Sequence, residues 1–432
     1  MKILKPLFVS LFIFLFFLPA HSLLAEPSGI LPPFVSGDRV LILAPHPDDE
    51  TLAAGGVLQA AVKAGAKVKV VLLTHGENNL LAFMVYDKRF FFGPKRILRM
   101  GAMRKQETVK AMKQLGMSEK DVISLGYPDS GTLEIMTKRW GKAKPFRGKF
   151  SRARQVPYSD ARSPGAPYLG ESILKDIEQI LSDYVPTKIF VSHPADKNRD
   201  HRALYLFLRV ALWDLDGKIS PPAIYPYLVH IAGWPKPALE LTPPPDLAKS
   251  EIAWQNRVLA PGEITRKSKA LQDYPSQIKY APKFLISFAR RNEFFGDYPV
   301  LKIREGEKNQ SRYKRALSYA AEGDDLVVRL TLRRRINKRL GISIWLLPYQ
   351  KNVLFSSMPK VKIKTGLRGL RAKDQSRNKA LKGIRFTSRG KALEFRIPLA
   401  LLGNPDFILV SGKTALNDLT LDEMAWRVLS LD

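Results

Sequence analysis

Residues 39–50 read RVLILAPHPDDE, and this stretch decides the fold. The apolar run 40–43 has the pattern of a strand buried on both faces, and 50–64, rich in Ala, Leu and Val, suits a helix. A strand that passes directly into a helix is the repeating unit of a parallel α/β sheet. Because such sheets bind ligands beyond the carboxyl ends of their strands, the polar turn between strand and helix is a predicted site.

The same alternation of strand and helix continues to about residue 213. Further strands are predicted at 67–73, 122–125 and 189–192, and further helices at 100–115, 173–184 and 202–213. Two stretches, 78–99 and 137–167, interrupt the alternation and are predicted to be long loops. The pattern predicts a doubly wound, mostly parallel, Rossmann-like sheet with helices on both faces.

The N-terminus has the pattern of an export signal. Lys2 and Lys5 precede an apolar run over 7–18, and the small residues Ala20, Ser22 and Ala25 follow. The run is short for a membrane span, which needs roughly 20 apolar residues. We therefore expect a signal peptide over 1–25 and a secreted, periplasmic or otherwise extracytoplasmic protein. An uncleaved N-terminal anchor is the alternative.

After about residue 297 the hydrophobic period changes from that of α/β structure to two. The alternating apolar residues are Leu326, Val328, Leu330 and Leu332, then Ile342, Ile344 and Leu346, then Val361 and Ile363, then Leu393, Phe395 and Ile397. This period predicts antiparallel strands with one buried face. The 432 residues are therefore predicted to contain, after the signal, an α/β domain over 36–296 and a smaller all-β sandwich over 297–432.

The chain is strongly basic, with a formal net charge of +30 from 70 Lys and Arg against 40 Asp and Glu. From residue 301 to the end there are 28 Lys and Arg against 12 Asp and Glu, so much of the excess lies in the predicted β domain. Such a charge attracts polyanions. Because export is expected, the predicted partner is an anionic envelope polymer or a membrane surface, and no nucleic acid is expected. A charge that serves only solubility is the alternative.

The polar turn after the first strand offers metal ligands. His46 and Asp49 stand three residues apart, and an imidazole and a carboxylate can both bind Zn²⁺. Asp48 lies between them and can aim at a metal-bound water, whose pKa zinc lowers to about 7. A catalytic zinc commonly has three protein ligands, so His201, which follows a later strand, is the predicted third. Such a site also accepts other divalent ions, and Asp200 can orient an imidazole.

The segment His46-Pro47-Asp48-Asp49-Glu50 resembles the signature of the PIG-L, or LmbE-like, family of zinc-dependent N-acetylglucosaminyl deacetylases. The resemblance extends over about 38–290 through the segments 104–116, 125–129, 196–203 and 267–277.

The resemblance implies zinc held by His46, Asp49 and His201, with Asp48 as the general base. It further implies a hydrolase that removes the N-acetyl group from an N-acetylglucosamine-containing glycan or glycoconjugate. A metal-bound water would attack the acetyl carbonyl.

The chain departs from the family at one position that bears on catalysis. Many relatives carry a second histidine three residues before the ligand histidine, where this chain has Asn198. An asparagine cannot act as an acid, but it can donate to an oxyanion, so Asn198 is a candidate catalytic residue. The general acid is then expected to be protonated Asp48 or His230, which ends an apolar, strand-like run.

Three further residues are candidates for substrate binding: Arg104, Asp129 and His75. Asp129 and His75 follow predicted strands, and Arg104 lies in the helix predicted at 100–115. For Arg104 the alternative is an ion pair with a carboxylate, and for His75 it is a hydrogen-bonded structural histidine.

Two other functions stay open at this point. One is a carbohydrate- or envelope-binding protein with a catalytically decayed deacetylase domain, against which the intact set His46, Asp48, Asp49 and His201 argues. The other is a metal hydrolase acting on a different amide.

Overall fold

The computed structural model describes residues 29–88, 90, 92–235, 240–248, 250–304, 317–332, 340–366, 369–416 and 419–431. The predicted signal peptide lies outside these residues. The first described strands are β1 (Gly29–Ile30), β2 (Arg39–Ala44), β3 (Lys67–Thr74), β4 (Val122–Tyr127), β5 (Lys188–Ser192), β6 (Ala223–Tyr227), β7 (Gln255–Val258) and β8 (Asn292–Phe295).

The helices all lie in this N-terminal part of the described chain, apart from short 3₁₀ turns. They are α1 (Asp49–Lys63), α2 (Leu80–Asp87), α3 (Pro94–Gln114), α4 (Thr132–Lys138), α5 (Gly170–Tyr184), α6 (Arg199–Asp214), α7 (Pro245–Ala248), α8 (Pro261–Gln272), α9 (Pro275–Ile278) and α10 (Pro282–Ile286). Within the described residues, no helix combines the length and apolarity that a membrane crossing requires.

The central sheet has the order β4-β3-β2-β5-β6, and all its neighbouring strands run parallel. Alternate residues of β2 point to opposite faces. Leu41 and Leu43 belong to a core with residues of α5 and α6, whereas Val40 and Ile42 belong to a core with residues of α1, α3 and α8. Helices therefore cover both faces, and the predicted doubly wound α/β fold is confirmed.

Several boundaries differ from those predicted. The stretch 78–99 was expected to be a loop, but it contains α2 and the beginning of α3, which starts at Pro94 rather than at residue 100. Proline suits the first helical turn, where its missing N–H costs nothing. Helix α6 begins at Arg199 rather than at residue 202, because the side chain of Asn198 caps it by accepting from the Asp200 N–H at 2.9 Å.

Helix α1 is interrupted at Ala54, whose φ and ψ of −133° and 17° are not helical. The break frees two backbone N–H groups, and those of Gly56 and Val57 donate to the Glu293 carboxylate at 2.7 and 2.9 Å. Lys267 Nζ lies 2.6 Å from the same carboxylate, and both side chains are fully buried. The Glu293 carboxylate thus accepts hydrogen bonds from the backbone N–H groups that the break leaves free. Its ion pair with Lys267 connects α1 to α8 and β8.

The C-terminal part of the described chain is all β apart from the 3₁₀ turns Phe355–Ser357 and Leu399–Leu402. Its strands are β9 (Leu301–Lys302), β10 (Leu317–Glu322), β11 (Asp325–Thr331), β12 (Leu340–Tyr349), β13 (Val361–Thr365), β14 (Arg371–Asp374), β15 (Lys379–Leu381), β16 (Arg385–Arg389), β17 (Ala392–Pro398), β18 (Phe407–Leu416), β19 (Leu419–Glu423) and β20 (Arg427–Ser430).

These strands form two sheets that enclose an apolar core, as the period-two alternation predicts. One sheet has the order β10-β11-β17-β16, and the larger has the order β15-β14-β13-β12-β18-β20-β9 with β19 paired to β18. Ile344, Val361 and Val410 of the larger sheet share a buried core with Val328 and Phe395 of the smaller one. A second, predominantly antiparallel β unit therefore follows the α/β unit.

The outer face of the larger sheet packs against the α/β unit. Tyr349, Phe355 and Trp426 belong to the same buried core as Trp140 and Phe207. The rings of Phe355 and Trp140 meet edge to face, with centroids 5.0 Å apart. The two units thus share a core, although the division at residues 296 and 297 itself stays a prediction.

Truncating Phe355 is expected to test this shared core. Because the side chain is buried between the two units, Phe355→Ala should lower the free energy of unfolding by about 3–5 kcal/mol, measured by urea denaturation. The matched control is Leu354→Ala, whose side chain is 78% exposed and which should change stability by less than about 0.5 kcal/mol. Equal stability of the two variants would contradict a packed junction.

Candidate active site

The turn that follows β2 carries most of the predicted site residues. It leaves the sheet at Ala44 and enters α1 at Asp49, and the backbone carbonyl of Asp48 accepts from the N–H groups of Thr51 and Leu52 at 3.0 and 2.8 Å. Asp48 itself has a φ of 109°, a region that side chains other than glycine rarely adopt. Strain of this kind persists where the surroundings hold a residue in a required position.

The predicted metal ligands converge on one carboxylate oxygen. Asp49 Oδ2 lies 3.2 Å from His46 Nδ1 and 3.0 Å from His201 Nε2. His230 lies in the segment after β6. One of its ring nitrogens and the ligand atoms of His46, Asp49 and His201 all lie within 4.8 Å of one another, which is close enough to bind a single metal ion. The structure therefore brings together residues from the ends of three different strands.

The donor set fits a divalent cation. Asp49 Oδ1 is buried and has no hydrogen-bond partner in the described part of the chain, a condition that costs free energy unless another group satisfies it. Burial lowers the pKa of His201, but Asp196 and Asp49 outweigh burial and raise that pKa to about 9. The same carboxylates that favour a positive charge here would favour a metal ion, and two imidazoles with a carboxylate are ligands that Zn²⁺ accepts.

Each ligand histidine has a second carboxylate on its other nitrogen. Asp200 Oδ2 lies 3.2 Å from His46 Nε2, and Asp129 Oδ1 lies 3.5 Å from the same atom. Asp196 Oδ2 lies 3.3 Å from His201 Nδ1. Such carboxylates fix the orientation and tautomer of a ligating imidazole.

Asp196 is a site residue that the sequence reasoning did not single out. Its Oδ2 also accepts the backbone N–H groups of Val229 and His230 at 3.0 and 2.9 Å. Asp196 therefore fixes both His201 and the segment that carries His230. Its place, four residues after the end of β5 in the same segment as His201, was the signal that could have identified it.

Asp48 and Arg104 form a buried pair beside this cluster. Arg104 Nη2 lies 3.2 Å from Asp48 Oδ2 and donates to Pro47 O at 2.6 Å, while Nη1 donates to Gly76 O at 2.7 Å. Burial raises the pKa of Asp48 well above its usual range, and the Arg104 guanidinium opposes this shift. Gly76 is required here, since a Cβ would stand 1.8 Å from Arg104 Nη1 and φ is +63°.

Glu50 stabilises the turn through buried hydrogen bonds. It is fully buried, its carboxylate accepts the Asp48 N–H at 3.2 Å, and it forms a short hydrogen bond with the Tyr274 hydroxyl. Burial raises the pKa of Glu50 to about 7. Its role is therefore to hold the turn, which goes beyond the helix-start position that the sequence indicates.

The other predicted site residues, His230, Asn198 and His75, lie at different distances from the ligand cluster. His230 is half-buried, and its ring centroid lies 4.8 Å from that of His201. The side-chain oxygen of Asn198 is used in capping α6. His75 is fully buried, 2.5 Å from Ser124 Oγ and with its ring against Tyr158, so the structure does not bring it into the cluster.

Loss of the ligand side chains is expected to release metal. His46→Ala and His201→Ala should each lose bound metal in elemental analysis of the purified protein, because each removes one of three donors. The control is His75→Asn, which changes an equally buried histidine outside the cluster and should retain metal. A full equivalent of metal in both alanine variants would contradict the ligand set.

Comparison with known proteins identifies relatives of part of this chain. The 1D-myo-inositol 2-acetamido-2-deoxy-alpha-D-glucopyranoside deacetylase 1 of Catenulispora acidiphila is 31% identical over 113 residues, which cover 25% of this chain and 34% of the relative. The N-acetylglucosaminyl-phosphatidylinositol de-N-acetylase of Arthroderma benhamiae is 27% identical over 211 residues, covering 46% of this chain and 59% of the relative. The chain thus spans about a third to three fifths of these relatives.

Among solved structures, the N,N'-diacetylchitobiose deacetylase of Pyrococcus horikoshii is similar at 18% identity and a TM-score of 0.38, covering 59% of this chain and 82% of that one. Residues 41–212 match the PIG-L family, described as GlcNAc-PI de-N-acetylase. The matched range includes the turn after β2, Arg104, Asp129, Asp196 and His201. Over residues 41–212, this chain is therefore similar to the PIG-L family.

Proposed function

We propose that the protein is an exported, metal-dependent hydrolase that removes the N-acetyl group from an N-acetylglucosamine-containing glycan or glycoconjugate. The observation that carries the proposal is the convergence of His46 Nδ1 and His201 Nε2 on one buried oxygen of Asp49, at 3.2 and 3.0 Å, within the residues that match the PIG-L family. The names of the two relatives, both deacetylases of N-acetylated glucosamine conjugates, support the same reaction and substrate class.

His46, Asp49 and His201 would hold the metal, and Zn²⁺ is the ion that we propose. A bound divalent cation would supply Lewis-acid polarisation of the acetyl carbonyl and would lower the pKa of water. In the described structure, Asp200 and Asp129 orient His46, and Asp196 orients His201, so the ligands are already arranged.

Asp48 is the proposed general base. Its carboxylate adjoins the ligand turn and is held by Arg104, so it can take a proton from the attacking water and later return it to the leaving amine. Arg104 is then a positioning residue, since its guanidinium contacts Asp48, Pro47 and Gly76. His230, beside His201, is the second candidate for delivering a proton to the amine.

The alternative is a glycan-binding protein with a decayed catalytic domain. The described geometry favours activity, because the ligand set, the base and the carboxylates of Asp196 and Asp200 that orient the histidines are all present and buried. A decayed site would have no need to keep a strained φ of 109° at Asp48.

Asp48→Asn is expected to separate catalysis from metal binding. The amide cannot accept a proton, but asparagine keeps the size of the side chain and tolerates positive φ. The variant should therefore retain its metal and lose on the order of 10²–10⁴ in rate, measured as acetate release from N-acetylated oligosaccharides.

The control for that experiment is Asp160→Asn. Asp160 is a half-exposed carboxylate that pairs with Lys105 at 2.5 Å, and its neutralisation should leave the rate within about twofold of wild type. Near-normal turnover of Asp48→Asn would remove Asp48 from the mechanism.

Export rests on the sequence pattern of residues 1–25, which lie outside the described residues. The mature protein recovered from expressing cells should begin near Ala20, Ser22 or Ala25. Sequencing its N-terminus checks this. An intact residue 1 in protein recovered from the membrane fraction would instead favour the uncleaved anchor.

A further inference from the structure

A cleft of about 370 Å³ lies between the α/β unit and the larger β sheet. One wall is α4 with the beginning of α6, and the other is the outer face of β12, β13 and β18. Five basic residues line it: Lys138, Arg199, Lys362, Lys364 and Lys413. We call it the basic cleft.

The sheet register places three of the lysines on one face. Lys364 and Lys413 both pair with Ser343, from the strands on either side of it, and Lys362 pairs with the neighbouring Trp345. Residues two apart on a strand lie on the same face of the sheet, so all three lysines are on the same face as Trp345. The opposite face, which includes Ile344 and Ile363, is buried in the sandwich core.

Four of the five positive charges in the cleft have no carboxylate partner among the described residues; only Lys138 has one. Of the two acids that line it, Glu134 lies 2.5 Å from Arg139 and 3.8 Å from Lys138, and Glu423 lies 2.8 Å from Arg202. Within the described part of the chain, no ion pair joins Lys362, Lys364, Lys413 or Arg199 to an acid. Burial, together with the neighbouring cations, lowers the pKa of Lys362 to about 8.

Clustering like charges in a half-buried cleft destabilises the free protein, because exposed charges still repel within about 10 Å at 0.1 M salt. A bound anion would relieve the repulsion. Trp345 adds an aromatic surface to the same cleft, with Lys362 Nζ 4.3 Å from its ring centroid. Cations beside an apolar ring suit a chain of sugars that carries acidic groups.

The cleft begins next to the candidate active site. Arg199 directly precedes Asp200, whose carboxylate lies 3.2 Å from His46 Nε2. Leu133, on the same wall, follows Thr132, whose N–H donates to the same carboxylate at 3.1 Å. A polymer seated in the cleft therefore reaches the site within a short distance along its own chain.

We propose that the basic cleft binds an acidic stretch of the same glycan that presents its N-acetyl group to the active site. This inference rests on the proposed function, and it gives that function a substrate class, an acidic N-acetylated polysaccharide. Holding the polymer at a second place raises the effective concentration of its acetylated sugars at the site.

The test measures binding separately from turnover. The probe is an octasaccharide of alternating N-acetylglucosamine and glucuronate, titrated calorimetrically into the full chain at low salt. The triple variant K362Q/K364Q/K413Q should raise the dissociation constant by about tenfold or more, from the loss of three charge contacts. High salt should reduce the difference between wild type and variant.

The matched control is K379Q/K382Q/K391Q, which removes three exposed lysines of the same β unit outside the cleft. It should bind the octasaccharide as wild type does. Equal weakening in both triple variants would overturn the proposal, because binding would then follow net charge alone. Absence of binding to the wild-type protein would overturn it too, as would tighter, cleft-dependent binding of a single-stranded DNA of equal charge.

Acetate release from an uncharged N-acetylglucosamine hexamer distinguishes this proposal from the proposed function. The cleft variant should keep the wild-type rate on this substrate, because the lysines do not contact the candidate metal ligands. If wild type releases no acetate from either sugar while the cleft still binds the octasaccharide, the proposed activity fails and the cleft stands. If both variants release acetate normally and bind equally, the cleft fails and the activity stands.

Discussion

The candidate site depends on one fully buried carboxylate, that of Asp200. Its two oxygens accept from the Ser130 N–H at 2.6 Å, from the Thr132 N–H and hydroxyl, and contact His46 Nε2 at 3.2 Å. Burying a charge is costly unless several donors satisfy it, so this carboxylate requires the three segments to meet. It thereby fixes the orientation of a metal ligand, the beginning of α4 and the beginning of α6 together.

The sequence predicts the parallel sheet and the position of the site because both depend on local patterns. The apolar run 40–43 and the polar residues after it indicate a buried strand and its carboxyl end without knowledge of the partners. His46, Asp49 and His201 were found in this way. The start of α6 was less predictable, because the capping role of the Asn198 side-chain oxygen was not considered. The candidate catalytic role of Asn198 stays a prediction.

Features that depend on distant partners were not predictable in this way. Nothing in the segment around Phe355 indicates that its ring meets Trp140, more than 200 positions earlier, because an apolar residue does not reveal which surface covers it. Asp196 is a different case, because it lies in the same segment as His201 and its position there was a local signal. His75 also follows a strand, but it contacts Ser124 and Tyr158 and is not among the clustered ligand atoms, so its role in substrate binding stays a prediction.

The packing of the larger β sheet on α6 has a consequence for how relatives can be recognised. Phe207 is fully buried and Trp213 stacks on Phe407 with centroids 4.8 Å apart, so α6 presents apolar side chains to the β unit as well as to the parallel sheet. A helix with apolar side chains on two sides needs a cover on both of them. A homologous chain that stops after the parallel sheet would have to place polar residues at these positions. The residue types there can therefore tell, from sequence alone, whether a relative carries the additional β unit or a different partner.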